Sequence, residues 1–264
     1  MDFLHVSGYI LALLVGISLG LVGSGGSILT VPILVYILGF DAVTATGYSL
    51  FVVGGTALVG GIRNAFHKNV DFTIVMLFGL PSLITAYLIR AFAIPALPDV
   101  IATIAGFTIT KALLLMLVFA VIMLAAALKM IRSVPAYTDN AIFSRSKLII
   151  SGISTGLLAG AVGAGGGFLI IPALVFLAGM PMKKAVGTSL FIIAIQSLAG
   201  FAGEAIGKSI DWQFLIPFTA VAIAGIFIGI TASKKIEGAK LKTGFGYFVL
   251  LMGVYIIIKE LFIH

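Results

Sequence analysis

The stretch "GLVGSGGSILTVP" (residues 20–32) sets five consecutive small residues, Gly23 to Ser27, inside an otherwise apolar run. A helix interior disfavours such a cluster by about 1 kcal/mol per glycine, so the run reads as a break between two helical arms. The pattern recurs 140 positions later as "GAVGAGGGFLIIP" (160–172), and 15 of 32 positions are identical, without a gap, between residues 20–51 and 160–191. Gly25/Gly165, Gly26/Gly166, Pro32/Pro172, Gly47/Gly187 and Ser49/Ser189 are among the matches, and the register reaches Asp71/Asp211. Apolar segments share Leu and Val by chance, but not Gly, Pro, Ser and Asp in register. The chain is a duplicated unit. Its expected division is a first transmembrane repeat over 1–135, a cytoplasmic linker over 136–147 and a second transmembrane repeat over 148–264.

Composition fixes the medium. Of 264 residues, 61% are hydrophobic and 9% charged, where soluble domains carry about 25% charged residues. Runs such as Lys111 to Leu128 and Thr243 to Ile263 are continuously apolar at helix length rather than alternating, which selects membrane helices over a barrel. The N-terminal segment lacks the basic flank and small-residue cleavage site of a signal peptide, so the first span is expected to be retained. The absence of cysteine excludes disulfides and thiolate chemistry. The net charge of +7 resides in short loops between spans, which fits membrane orientation rather than nucleic-acid binding.

Loop charges also set the topology. Residues 3–40 and 148–182 contain no Asp, Glu, Lys or Arg, and each run far exceeds one crossing. If each crosses once, the Lys and Arg residues split 8 to 8 between the two faces. If each folds back as a hairpin, the loops at 63–71, 129–147, 179–185 and 232–242 share one face with 12 positive charges. Arg90, Lys111, Lys208 and Lys259 then lie opposite. The positive-inside bias selects the hairpin. The expected fold is an all-α polytopic membrane protein of two inverted-topology repeats. Each is a glycine-broken hairpin followed by three transmembrane helices, giving eight to ten membrane segments. Both termini are expected outside and the 129–147 loop in the cytoplasm. Inverted repeats with interrupted helices point to a secondary transporter with a site near the midplane.

The glycine breaks suggest what that site holds. New helices are expected over Ile28–Leu38 and Phe168–Ala178, and the first N–H groups of a helix lack internal partners and carry the positive end of its dipole. Gly25, Gly26, Gly165, Gly166 and Gly167 let an oxyanion approach the backbone, while Ser24, Ser27 and Thr30 add hydroxyl donors. The expected ligand is a small anion. "GSGGS" (23–27) lacks the strand–helix–strand context of a dinucleotide fingerprint. Gly16/Gly20, Gly156/Gly160 and Gly225/Gly229 have the spacing of close helix packing instead.

The twin motifs "GSGGSILTVP" and "GAGGGFLIIP", followed by "TGYSLF" or "VGTSLF" and later by "HKNVDF" and "GKSIDW", resemble the TauE/SafE sulfite exporter family over nearly the whole chain. That resemblance implies transport of small sulfur oxyanions and sulfonates such as sulfite and sulfoacetate across the inner membrane. It also implies Ser49, Thr188 and Ser189 as substrate ligands. The first half departs from the pattern with Ser27 for a third glycine and with Tyr48 where the second half has Thr188.

Gln196, mid-span, is expected to face the bundle interior, with a substrate or gating role; its repeat mate is Thr56. Arg63, Asn64 and Glu204 end the spans after the hairpins and are gating or electrostatic candidates. His67 is a loop histidine able to carry a proton, and Asp71 and Asp211 are expected helix caps. No cofactor, metal site or enzymatic dyad is expected. The expected partners are the anion, the bilayer and a coupling proton or ion. A passive anion channel, or transport of a different small anion, is the alternative.

Overall fold

The break falls where the glycines are, but it is narrower than the sequence implies. The computed structural model describes residues 3–23, 25–93, 96–98, 100–104, 107–132, 145–162, 167–176, 178–205 and 210–262. The first half comprises α1 (Phe3–Val22), α2 (Gly25–Pro32, continued by a π-helical turn Ile33–Ile37), α3 (Ala42–Phe66), α4 (Phe72–Ala93) and α5 (Lys111–Arg132). The second comprises α6 (Arg145–Val162), α7 (Gly167–Phe176), α8 (Met182–Ala205), α9 (Trp212–Lys235) and α10 (Gly238–Phe262). Helix α6 begins within the expected linker, of which residues 136–144 lie outside the described residues.

Helix α1 ends at Gly23, which takes the left-handed φ of +81° and returns its N–H to the Leu19 carbonyl at 2.7 Å. Helix α2 then starts at Gly25, not at Ile28, so Gly25, Gly26 and Ser27 form its first turn. Pro32 is consequently the eighth residue of α2 and Pro172 the sixth of α7, beyond the position where a missing N–H is free of cost. In the first half the chain answers by widening into the π-helical turn. Both short arms stop alike. Phe40 N–H bonds the Leu34 carbonyl at 3.0 Å around Gly39 (φ +73°), and Met180 N–H bonds Leu174 at 3.0 Å around Gly179 (φ +60°).

Packing entwines the halves. Helix α1 lies on α9, α6 on α4, α3 on α8 and α5 on α10, so each pair joins one half to the other. The α1–α9 seam is backbone against backbone: a Cβ on Gly16 would run into Ala222 and Ile226, and one on Gly225 into Leu13 and Ile17. The counterpart seam puts Gly152 against Phe78 and Gly156 against Ser82. Ser82 is the repeat mate of Ala222, and Gly156 that of Gly16, so the two seams match residue for residue. Helices α3 and α8 run antiparallel, with Leu50 beside Gly200, Gly54 beside Leu198 and Gly60 beside Leu190. One core cluster, including Leu19, Leu34, Val52, Phe78, Leu174 and Phe218, draws on both halves.

The two ends of α9 differ in chemistry. At its start, Phe214 packs on Phe40 (ring centroids 4.9 Å apart) and Trp212 on Phe51 (5.5 Å). At its end, Lys234 Nζ lies 3.0 Å from His67 Nε2, and Lys183 Nζ lies 3.5 Å from the Lys234 carbonyl. The α2–α3 turn, at Phe40, and its repeat counterpart, the α7–α8 turn, at Lys183, therefore sit at opposite ends of α9.

Helices α3, α4, α8, α9 and α10 are long and apolar enough to cross a membrane, and α1 contributes the shorter apolar stretch Gly8–Val22. Large apolar side chains such as Leu14, Ile84, Val121, Ile150, Ile216 and Leu251 are exposed, a distribution that suits lipid contact. One feature departs from the all-α expectation. Val100–Ile104 and Phe107–Thr110 pair as an antiparallel hairpin between α4 and α5, rich in the β-branched residues that favour strands. The Thr110 hydroxyl then caps α5 by accepting the Leu113 N–H at 3.2 Å.

Replacing Gly16 or Gly225 by Val is expected to force α1 and α9 apart and to lower stability by about 1–3 kcal/mol, read as a lower melting temperature in detergent. The same substitution at Gly244, where a Cβ meets nothing within 4 Å, is the control expected to be neutral.

Candidate functional site

The residues singled out by the sequence fall into three groups in space. The first surrounds the broken helices, which touch each other. The tip of the first hairpin rests on the second half: the Cβ position of Gly23 is 2.7 Å from Ser189 Oγ and 3.1 Å from Ile171 Cδ1. Gly25 and Ser27 lie in the first turn of α2, and Gly167 opens α7, so each helix presents backbone donors at its N-terminus. Gly26 also has a packing role, because a Cβ there would strike Leu19 and the Val15 carbonyl of α1. Thr30 is buried with its hydroxyl bonded to the Gly26 carbonyl at 2.6 Å. Ser24, Gly165 and Gly166 lie outside the described residues.

The second group lies along α3 and α8. Ser49 is buried, and the Ser189 hydroxyl returns to the Val186 carbonyl at 2.9 Å. Thr188 Oγ1 accepts the Asp71 N–H at 3.1 Å, while Tyr48, its repeat mate, accepts the Asp211 N–H at 2.8 Å. Each half thus inserts a hydroxyl at the cap of a helix in the other half. The caps match as well: the Asp71 carboxylate accepts the Ile74 N–H and the Asp211 carboxylate accepts the Phe214 N–H, each at 3.1 Å. Replacing Thr by Tyr preserves the clasp with a longer reach, so the departure at position 48 keeps an oxygen in place. Gln196 faces the bundle as expected, its Nε2 donating to Ser82 Oγ on α4 at 3.0 Å.

The third group sits at the basic end, where Gly187 of α8 packs on Asn64 and on the Asn69 carbonyl. Arg63 lies over the Phe227 ring (4.8 Å to the centroid) with Nη2 3.5 Å from Thr231 Oγ1. Asn64 is buried, donating to the Gly60 carbonyl at 3.0 Å and accepting the Asn69 and His67 N–H groups on its own carbonyl. His67 bridges the halves. Since a lysine ammonium can only donate, Nε2 accepts from Lys234 and Nδ1–H donates to the Arg63 carbonyl at 2.8 Å. Glu204 lies in the last turn of α8.

Sequence reasoning missed Ser82 and the reciprocal use of Tyr48. The repeat alignment held the signal, because positions 48/188 and 71/211 are mates. Tyr48→Phe and Thr188→Val are each expected to cost about 1–3 kcal/mol by leaving a helix-cap amide unbonded, measured as a drop in melting temperature. An unchanged melting temperature in both variants would contradict the clasp.

A probable membrane transporter protein of Xylella fastidiosa (strain 9a5c) is 30% identical over 252 residues, covering 92% of this chain and 91% of the relative. A probable membrane transporter protein of Methanocaldococcus jannaschii is 27% identical, covering 94% of each chain. The probable membrane transporter protein YunE of Bacillus subtilis (strain 168) is 26% identical, covering 96% of this chain and 97% of that one. Residues 9–256 match the family model described as Sulfite exporter TauE/SafE, and the chain belongs to that family of membrane transporters.

Proposed function

We propose that the chain is a secondary transporter that moves a small sulfur-containing anion, of the class of sulfite or a sulfonate such as sulfoacetate, across the inner membrane by alternating access. The observation that carries the reading is the contact between two glycine-led half-helices, α2 and α7, one from each half of a family member. Their N-termini offer unbonded N–H groups and two positive dipole ends to an oxyanion without a fixed counter-charge. Backbone left open at this depth is tolerated where protein walls it, and the first tip is walled by Ile171, Val186 and Ser189.

In this reading Gly25, Gly26, Ser27 and Thr30 with Ser24 form one side of the site, and Gly165, Gly166 and Gly167 the other. Ser49, Thr188, Ser189 and Gln196 line the approach. Arg63, at the basic end with Asn64, attracts the anion to the cytoplasmic mouth, and Glu204 stands towards the other face. The halves are inverted, with both termini outside and the 129–147 loop inside. The antiparallel α3 and α8 and the placement of mate turns at opposite ends of α9 support that inversion. The basic loops support it too: Arg63, His67, Lys183 and Lys234 gather at one end.

Purified protein in proteoliposomes is expected to take up sulfite or sulfoacetate saturably, with uptake rising when a proton gradient is imposed. Gly25→Leu is expected to abolish uptake while leaving the protein in the membrane and folded. Non-saturable flux indifferent to the gradient would instead identify a channel. Full activity in Gly25→Leu would overturn the half-helix site.

A further inference from the structure

Among the described residues one buried side-chain oxygen has no hydrogen-bond partner: the hydroxyl of Thr56, which is 0% exposed. The usual remedy for a helical threonine is a bond to the carbonyl four residues back. Thr30, Thr219 and Thr231 each make it, at 2.6, 2.7 and 2.7 Å. Thr56 does not, so its oxygen is turned away from its own helix turn.

The position of Thr56 is special in two ways. Along the antiparallel α3–α8 pair, Leu50 stands beside Gly200, Gly54 beside Leu198 and Gly60 beside Leu190, which puts residues 55–56 opposite 195–196. Thr56 and its mate Gln196 thus mark the centre of the crossing, where the internal two-fold relation of the halves passes. Around α3, Gly55 faces Thr219 and Gly60 faces Ile226, both on α9. At 100° per residue Thr56 falls between those two directions, on the face of α3 covered by α9. The mate pair is complete: Gln196 bonds Ser82. The mate of Ser82 is Ala222, which offers no side-chain acceptor, so the polar pair of one half is a lone hydroxyl in the other. The mates also differ in exposure, Gln196 being half-buried and Thr56 fully buried.

We propose that Thr56 is a further ligand of the transported oxyanion, its hydroxyl donating to an anion oxygen when α9 stands away from α3. This rests on the transporter reading above and adds to it a donor at the centre of the bundle. A neutral hydroxyl stabilises an oxyanion by a charge-assisted hydrogen bond, and a site for a released ion needs such donors without a tight ion pair.

The test compares wild type, Thr56→Val and Thr56→Ser in proteoliposomes with sulfite as the probe, reading KM, maximal rate and melting temperature. Thr56→Val keeps the shape and removes the hydroxyl. It is expected to raise KM about fivefold to tenfold with an unchanged or higher melting temperature, and Thr56→Ser to stay within about twofold of wild type. If Thr56→Val fails to accumulate, Thr56→Ala serves as the deletion. Wild-type uptake with unaltered KM and rate in the hydroxyl-free variant overturns the assignment of Thr56 alone. Absence of uptake in wild type, for sulfite and sulfoacetate alike, overturns the transporter reading and the Thr56 role with it.

Discussion

A break in a membrane helix strips backbone N–H and C=O groups of their partners, and lipid offers none in exchange. Much else in this protein follows from that constraint. The first break, at Gly23, is covered by side chains and backbone of α7 and α8, which belong to the other half of the chain. The helix caps are shared in the same way: Tyr48 satisfies the amide of Asp211, and Thr188 that of Asp71. Neither half completes its own hydrogen bonds. The duplication in sequence therefore corresponds to two units that fold into one body rather than to two domains side by side.

This entwining bears on motion. Glycine at positions 16, 20, 225 and 229 brings the α1 and α9 backbones into contact, so those helices move together although they come from different halves. Rocking one half rigidly against the other would tear that seam and its counterpart between α4 and α6. The α3–α8 crossing differs in kind, because glycines 54, 61 and 200 there face leucine and phenylalanine side chains. Apolar side chains against glycine have no directional bonds to break. The halves also differ locally: α4 and α2 carry π-helical turns, whereas α9, the counterpart of α4, is α-helical throughout.

Much of this was legible in the sequence, because the features involved are chemical rather than geometric. The repeat at 140 residues, the hairpin breaks, the glycine seams and the Asp71 and Asp211 caps all rest on residue types with one dominant use. Boundaries were less legible. The expected start of α2 at Ile28 gave way to Gly25 because a glycine in the first turn, packed on Leu19 and Val15, is held by tertiary contact that propensity does not register. The strand hairpin at Val100–Thr110 was hidden for a similar reason, since a short β-branched run has no periodicity that separates it from apolar helix. For Thr188 the family resemblance implied only a substrate ligand. Its bond to the Asp71 amide depends on the two halves meeting, which no local pattern encodes.

Inversion of the two halves is the claim on which the transport reading rests, and the cysteine-free chain suits a direct test. Asp41 and Pro181 are repeat mates, both exposed, in the turns that follow α2 and α7. Single-cysteine variants Asp41→Cys and Pro181→Cys, probed in intact cells with a membrane-impermeant maleimide, separate inverted from parallel halves. The expected result is labelling of position 41 from outside and of position 181 only after permeabilisation. Labelling of both positions from the same side would contradict the inverted arrangement.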